Sequence, residues 1–257
     1  MKALILNGSP KKKSSTSKFI GRMIGLQLTG FEVEYASLRT KSEYPKILQQ
    51  LKNIDVLVIA APLYVDGVPS HVLEFLQQAE EFCIKNDCHF SVYAVSNNGF
   101  IEGAHNKSHL KMYECWCRRA GVTWGGGLGV GGGEMFHCLA VYYPIAFAVL
   151  IAVNIVKYIT GAAAELSDWL SLAENIGIYL FFNCGVFYCT ARLAASARKL
   201  RQTKNRYTRV MVPAFLFIPM ADIFMIISSL FNGKIIFTLL KKDTWLESRT
   251  TKNVEDC

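Results

Sequence analysis

Short apolar runs recur along the first half of the chain, and each is bounded by polar or turn-forming residues. Residues 55–61 form a continuous apolar run, as a strand covered on both faces does; residues 2–6 form a short apolar run, and residues 91–95 form a further strand. Residues 31–36 alternate between apolar and polar, which is typical of a half-buried strand near an edge, and residues 122–130 form a glycine-rich run. The pattern therefore predicts five strands.

The segments between these runs carry apolar residues three or four positions apart, which places them on one face of a helix. The predicted helices are residues 15–28, 44–51, 69–82 and 106–120. Strands that alternate with helices form a parallel sheet with right-handed crossovers. The sequence therefore predicts an α/β fold in which five parallel strands have helices on both faces.

In such sheets, ligands bind beyond the carboxyl ends of the strands, so the loops after the first, third and fourth strands are of most interest. The first loop, residues 7–17, contains Gly8, several hydroxyl residues and three consecutive lysines before a helix begins. Backbone N–H groups at a helix N-terminus, hydroxyls and positive charge together suit a phosphate. The alternative is an ordinary helix cap followed by a solvated basic turn.

The other two loops suit a planar ring. APLYVDGVPS, residues 61–70, places Tyr64 between prolines and a glycine, and SNNGFIEG, residues 96–103, combines two amides with glycines, Phe100 and Glu102. Either segment could instead be an ordinary loop. Together with a phosphate loop, they predict a site for a phosphorylated ring compound.

Four stretches in order carry a resemblance to a known family: GSP-x5-T at 8–16, APLYVDGVPSHVLEFL at 61–76, NNGFIEG at 97–103 and AGVTWGGGLGVGGGEM at 120–135. Residues 1–135 resemble the flavodoxin-like NAD(P)H-dependent FMN reductases and NAD(P)H-quinone reductases. The resemblance implies a flavodoxin-like fold, FMN as cofactor and NAD(P)H as co-substrate. The flavin carries the chemistry of such enzymes, so no catalytic side chain is expected.

The resemblance also implies which residues hold the cofactor. Those expected to bind the FMN phosphate are Ser9, Ser15, Thr16 and Lys11, the last standing where many relatives have arginine. Those expected at the isoalloxazine are Pro62, Leu63, Tyr64 and Gly67 from one loop and Asn97, Asn98, Gly99 and Phe100 from the other.

Three histidines are further candidates for functional residues. His71, at the start of a helix, could donate to the ring or to a quinone oxygen, although a structural role at the helix end is favoured. His105 and His109 lie four residues apart without an H-E-x-x-H pattern, so a solvated helix face is expected there. No metal site is predicted.

The chain changes character after residue 135. Overall, 51% of the residues are hydrophobic and 19% are charged, and residues 136–156 are 21 positions without a formal charge apart from His137. That length suffices to cross hydrocarbon, which takes about 20 residues. Two further apolar segments, 176–191 and 210–231, flank a basic segment, 192–209, that holds seven Lys or Arg and no acid. A boundary at residue 135 is therefore expected, with a helical, membrane-associated region over 136–257.

These patterns predict a membrane-attached FMN-dependent oxidoreductase whose N-terminal domain and basic segment face the cytoplasm. It would pass electrons from NAD(P)H to a quinone or another small acceptor. The net charge of +8 is not arranged in a nucleic-acid recognition pattern, so no nucleic-acid partner is expected. The alternatives are an electron carrier or FMN-binding module without turnover, and a membrane protein whose domain has lost flavin. An apolar fifth helix with a homodimer arm is the alternative to membrane attachment.

Overall fold

The computed structural model describes residues 1–12, 14–160 and 166–231. The chain divides into two compact units, Met1–Met211 and Val212–Cys257. The predicted boundary at residue 135 lies inside the first unit, because the segments after it pack back onto the sheet. The division of the chain into two domains at residue 135 stays a prediction.

The first unit contains a six-stranded parallel sheet. Its strands are β1 (Lys2–Asn7), β2 (Glu32–Ser37), β3 (Val56–Pro62), β4 (Ser91–Asn97), β5 (Thr123–Gly131) and β6 (Arg206–Arg209). They lie in the order β2-β1-β3-β4-β5-β6, and every pair is parallel. The first five strands thus have the 2-1-3-4-5 order of the flavodoxin-like fold, whose switch point lies between β1 and β3. The predicted fold class is confirmed.

Helices cover both faces of the sheet. In this unit they are α1 (Thr16–Gln27), α2 (Tyr44–Gln50), α3 (Ser70–Asn86), α4 (Lys107–Ala120), α5 (Gly133–Ile159) and α6 (Leu166–Arg198). α1 and α6 pack side by side on one face, and α2, α3 and α4 cover the other. β3 and β4 are buried along their whole length, which explains the continuously apolar sequence of β3.

The sixth strand corrects the prediction of five. β6 is four residues long, Arg-Tyr-Thr-Arg, and it pairs with β5 from Leu128 to Gly131. It lies inside the basic segment 192–209, which the sequence assigns to a loop between membrane segments. That segment is instead the end of α6, a turn and an edge strand, so its charges are carried by the α/β unit. A strand this short and polar has no apolar pattern to reveal it.

α5 and α6 run antiparallel and contact each other through aromatic rings. Ring centroids lie 6.2 Å apart for Phe136 and Phe187 and 4.9 Å apart for Tyr143 and Tyr179. Residue numbers rise along α5 as they fall along α6, so the two helices form one pair. We call it the α5–α6 pair, residues 133–159 and 166–198.

Only one end of this pair lies on the sheet. The Arg198 guanidinium donates to Thr29 Oγ1 at 3.0 Å, near the amino edge, whereas Phe182 O accepts from Met211 N at 2.8 Å, just past the carboxyl end of β6. Residues of α6 before Phe182 therefore extend beyond the carboxyl edge, alongside α5. From residue 140 to its end at Ile159, α5 is about 30 Å long.

By length and composition, two helices of the described chain could cross a membrane: Gly133–Ile159, with a mean hydropathy of 2.2, and Trp169–Arg198, with 1.3. The predicted segments 136–156 and 176–191 fall within them. Few of their side chains are buried, and the exposed ones include Ile145, Val149 and Phe181.

The second unit is described from residue 212 to 231. It consists of α7 (Ala214–Phe231), which begins directly after Pro213 and contains Pro219. α7 lies within the predicted apolar segment 210–231. Residues 232–257, the end of the predicted helical region, lie outside the described residues.

Candidate functional site

The loops after β1, β3 and β4 meet at the carboxyl edge of the sheet, around a cleft of about 180 Å³. We call it the loop cleft. It is lined by Ser9, Lys11, Ser15, Thr16, Ser17, Pro62, Leu63, Tyr64, Asn97, Asn98, Gly99 and Glu134. Parallel strands place their carboxyl ends at one edge, so segments about 50 and 90 residues apart in sequence come together here. The cleft lies at the switch point between β1 and β3.

Gly8 is the first residue after β1, and the structure leaves no room for a side chain at this position. Its N–H continues the β1–β3 pairing by donating to Ala60 O at 2.8 Å, and a Cβ there would lie 2.8 Å from Ala61 Cβ and 2.9 Å from a Val72 methyl. His71 Nε2 lies 3.0 Å from Gly8 O, and because a carbonyl only accepts, this nitrogen is the donor. His71 therefore holds the loop from outside the cleft.

Three hydroxyl residues of the first loop, Ser9, Ser15 and Thr16, are buried and form hydrogen bonds. Ser15 caps α1 by accepting from Lys18 N at 3.2 Å, and Thr16 Oγ1 donates to Gly133 O at 3.0 Å. Ser9 Oγ accepts from Lys11 N at 3.4 Å. The loop is thus preformed, with its hydroxyls gathered at the positive end of the α1 dipole.

The first turn of α5 reaches into this loop. Glu134 Oε1 lies 2.5 Å from Lys11 Nζ, and Ser14 Oγ lies 2.7 Å from His137 Nε2. The Lys11 and Glu134 side chains are 48% and 41% exposed, so water screens the pair. The positive charge that the sequence offers to a phosphate therefore already has an anionic partner.

The second loop is a tight turn at its tip. Tyr64 and Gly67 exchange two backbone hydrogen bonds of 3.0 Å, and both central residues, Val65 and Asp66, have positive φ, at 46° and 60°. A β-branched residue with positive φ is strained, and such strain persists where surrounding structure imposes it. Ser108 Oγ donates to Asp66 O at 3.0 Å and fixes the tip from α4. Tyr64 is left partly exposed beside the cleft.

The third loop supplies amide groups. Asn97 Oδ1 accepts from the buried Ser17 hydroxyl at 2.7 Å, which ties β4 to α1. Asn98 is held through its backbone, since its N–H donates to Val130 O at 3.0 Å and its carbonyl accepts from Gly133 N at 2.8 Å. Its buried Oδ1 has no hydrogen-bond partner among the residues that the structure describes.

The structure brings together ten of the twelve predicted cofactor residues around the loop cleft; Gly67 and Phe100 do not line it. Their roles toward a cofactor stay predictions. Sequence reasoning missed Ser17 and Glu134. Glu134 follows β5, and the carboxyl end of β5 lies at the same edge of the sheet as the loop cleft. The position of the segment after β5 was therefore the signal that could have identified Glu134.

Two other candidates have defined places. Glu102, a candidate for contact with the ring, pairs instead with Arg209 at 2.5 Å. His109 corrects the expected solvated face, because it is fully buried between Ser96 Oγ at 2.7 Å and Tyr113 OH at 3.0 Å. Burial lowers the pKa of His109 to about 4, so it is neutral at pH 7.

The loop cleft fits one end of a flavin mononucleotide. The unpartnered Asn98 Oδ1 is a buried acceptor suited to a ring N–H, and the hydroxyls with Lys11 suit a phosphate once Glu134 moves aside. Ligand pockets typically enclose about 300–1,000 Å³, so much of a flavin would lie outside this open cleft.

No protein-family model matches this sequence, and no curated protein is similar to it. Similar solved structures include the Trp repressor binding protein from Bacillus subtilis, at 16% identity over 51% of this chain and 84% of that one, with a TM-score of 0.41. An NADH:FMN oxidoreductase, EmoB, is 12% identical over 69% and 87%, with a TM-score of 0.45. An azoreductase from Bacillus anthracis is 11% identical over 53% and 89%, with a TM-score of 0.39.

Because these identities and TM-scores are low, the assignment of the fold rests on the strand order and on the loops at the carboxyl edge of the sheet. The α/β unit of this chain has the flavodoxin-like fold.

Proposed function

We propose that this protein is an FMN-dependent NAD(P)H oxidoreductase that passes electrons to a quinone or another small acceptor at a membrane. The observation that carries the proposal is the meeting of the hydroxyl loop, the Tyr64 turn and the amide loop at the switch point of a flavodoxin-like sheet. Ligands bind at such points in open parallel sheets. The motif resemblance of residues 1–135 supplies the identity of the ligand.

Each loop has a distinct task in this proposal. The hydroxyls of Ser9 and Ser15 and the backbone N–H groups at the start of α1, that of Thr16 included, bind the phosphate, and Asn98 Oδ1 accepts a hydrogen bond from a ring N–H. Tyr64 covers one side of the ring from its rigid turn. When bound, the cofactor supplies hydride acceptance and one- or two-electron donation; the chain supplies orientation and charge.

The α5–α6 pair supports the membrane location. Between residues 140 and 156, α5 carries no formal charge, and the part of α6 beyond the sheet carries only Asp168 and Glu174 before Phe182. Exposed apolar side chains line both helices, among them Ile145, Val153 and Leu180. Burying them in hydrocarbon removes them from water at about 25 cal/mol per Å². α5 leaves the α/β unit at the carboxyl edge of the sheet, and α6 returns to it at the same edge. If both helices cross the membrane, the chain therefore comes back to the side on which the α/β unit lies.

The test is to purify the full chain in a mild nonionic detergent, record its visible absorption and identify any released cofactor by chromatography. Stoichiometric FMN, and NAD(P)H oxidation with a quinone or ferricyanide, are the expected results. FMN without turnover would favour an electron carrier. A colourless protein that does not take up added FMN would reject both the enzyme and the carrier, and it would leave a domain that has lost flavin.

A matched pair of variants tests the site itself. Asn98→Ala removes the unpartnered acceptor and should weaken FMN binding by about tenfold, the value of one lost hydrogen bond in a buried site. Asn86→Ala removes an amide at the far end of α3 that bonds only to Phe82 O, and it should leave FMN binding unchanged. Equal FMN affinity in both variants would contradict the placement of the ring.

A further inference from the structure

A second and larger cleft, outside the loop cleft, lies between α1 and the carboxyl ends of β1 and β2. It encloses about 350 Å³, and the cations around it are Lys11, Lys12, Lys18, Arg22 and Arg39. Glu43 is the single acid in its lining. We call it the basic cleft. It shares Lys11 and Ser17 with the loop cleft, and none of the other cations is used by the proposed flavin site.

Most of these charges have no counter-charge among residues 1–12, 14–160 and 166–231. Lys18 and Arg22 lie four residues apart on α1, so they occupy one face of the helix and repel each other. Arg39 follows β2 at the carboxyl edge. Among the residues that the structure describes, Lys12, Lys18, Arg22 and Arg39 form no ion pair. A cluster of unpaired cations around one concave surface indicates an anionic ligand.

The lining of the basic cleft is not polar throughout. Ala36, Ser37 and the exposed Tyr35 belong to the lining, whereas Ile5 and Ala60 lie behind it and are buried. The ligand that fits these surfaces combines an anionic group with an aliphatic portion.

The position of the basic cleft beside α5 identifies the source of that ligand. The start of α1 touches the start of α5, where Phe19 and Phe136 rings lie 5.6 Å apart and Ser14 bonds to His137. The basic cleft therefore opens at the same edge from which the apolar α5–α6 pair extends. Basic clusters next to a membrane helix attract anionic lipids, because the surface potential acts within about one Debye length.

We propose that the basic cleft binds the phosphate headgroup of an anionic lipid and holds the carboxyl edge of the sheet against the membrane surface. This inference rests on the membrane attachment in the proposed function. Lys12, Lys18, Arg22 and Arg39 provide the charge, and the glycerol end of the lipid lies against Ala36 and the exposed Tyr35. The loop cleft then faces the bilayer, from which a lipid-soluble electron acceptor would arrive.

Native mass spectrometry of the full chain from nonionic detergent, with equal amounts of phosphatidylglycerol and phosphatidylcholine added, tests the proposal. The test variant is Lys18→Gln/Arg22→Gln/Arg39→Gln. The control, Lys85→Gln/Arg118→Gln/Lys199→Gln, makes the same charge change at exposed positions near the amino edge. Wild type and control should favour phosphatidylglycerol by at least about tenfold, and the test variant should lose that preference, because it lacks three of the cations that attract the headgroup.

Equal phosphatidylglycerol binding by all three proteins would overturn the proposal. Binding of added inorganic phosphate or NADPH that is lost only in the test variant, without lipid preference, would also overturn it and assign a soluble phosphate ligand. Flavin content and membrane fractionation separate the two proposals. A wild-type chain in the soluble fraction contradicts the attachment, whereas a membrane-bound chain without lipid preference rejects only the headgroup site.

Discussion

Lys11 Nζ and Glu134 Oε1 lie 2.5 Å apart, and this ion pair joins residues 123 positions apart in sequence. It places a carboxylate of α5 in the loop where the sequence predicts a phosphate. Thr16 strengthens the same junction by donating to Gly133 O. A bound phosphate and the first turn of α5 therefore compete for one lysine.

Replacing Glu134 by Gln should tighten FMN binding by about tenfold, since it removes a negative charge close to the phosphate in a partly exposed, screened site. Isothermal titration of the apoprotein gives the affinity. Riboflavin, which lacks the phosphate, is the matched control ligand, and its affinity should not change. Weaker FMN binding by Glu134→Gln would mean that Glu134 orients Lys11 toward the ligand rather than competing with it.

His71 is predicted to position the first loop through Gly8 without touching the ligand. His71→Phe keeps a ring but removes the Nε2 donor, so it should lower FMN affinity by about tenfold through a displaced loop. His71→Gln retains an N–H donor and should restore much of the affinity. Equal affinities for the two variants would show that this hydrogen bond does not shape the site. Flavin fluorescence quenching measures both.

His109 should make the protein less stable as the pH falls below neutrality. Burial lowers its pKa from 6.5 to about 4, so the unfolded chain takes up this proton first. The contribution to stability is complete above pH 6.5 and is lost as the pH falls toward 4. At pH 5 the loss is about 2 kcal/mol, which is a fall in Tm of about 4–8 °C for a unit of this size.

Thermal unfolding in nonionic detergent at pH 7 and pH 5 measures that loss. His109→Gln cannot titrate and should show a smaller difference in Tm between the two pH values, whatever its absolute stability. A variant with the same pH dependence as wild type would assign the effect to other groups.

Gly103 is predicted to be essential for docking β6 against the third loop. A Cβ at this position would overlap the backbone carbonyl of Thr208, which cannot move without displacing the strand. Gly103→Ala should therefore lower the free energy of unfolding by about 1–3 kcal/mol. Gly99→Ala lies in the same loop, where a Cβ meets nothing within 4 Å, and should be nearly neutral. Similar melting temperatures for both variants would contradict this packing.

The first five strands could be predicted because the buried positions of each strand produce a local pattern of apolar residues. β3 and β4 are covered on both faces, so most of their positions are apolar or small, and the helices between strands show the period of one buried face. Parallel connection then places the loops after β1, β3 and β4 at one edge. Ten predicted residues meet at the loop cleft for that reason.

The arrangement of the chain after β5 depends on contacts that have no local pattern. β6 is recognised only by its partner strand, and α6 is apolar both where it lies on the sheet and where it extends beyond the carboxyl edge. Sequence alone therefore does not separate the part of this helix that packs on the sheet from the part that extends.

The sequence by itself determined the parallel sheet, its switch point and the three loops that border the cleft, because apolar periodicity and chain order suffice for those. The tertiary structure alone decided that Glu134 reaches Lys11, that His71 holds Gly8, and that four cations without an ion pair among the described residues surround a second cleft. Each of these is a contact between side chains far apart in sequence, and its geometry is set by the packing of helices on the sheet.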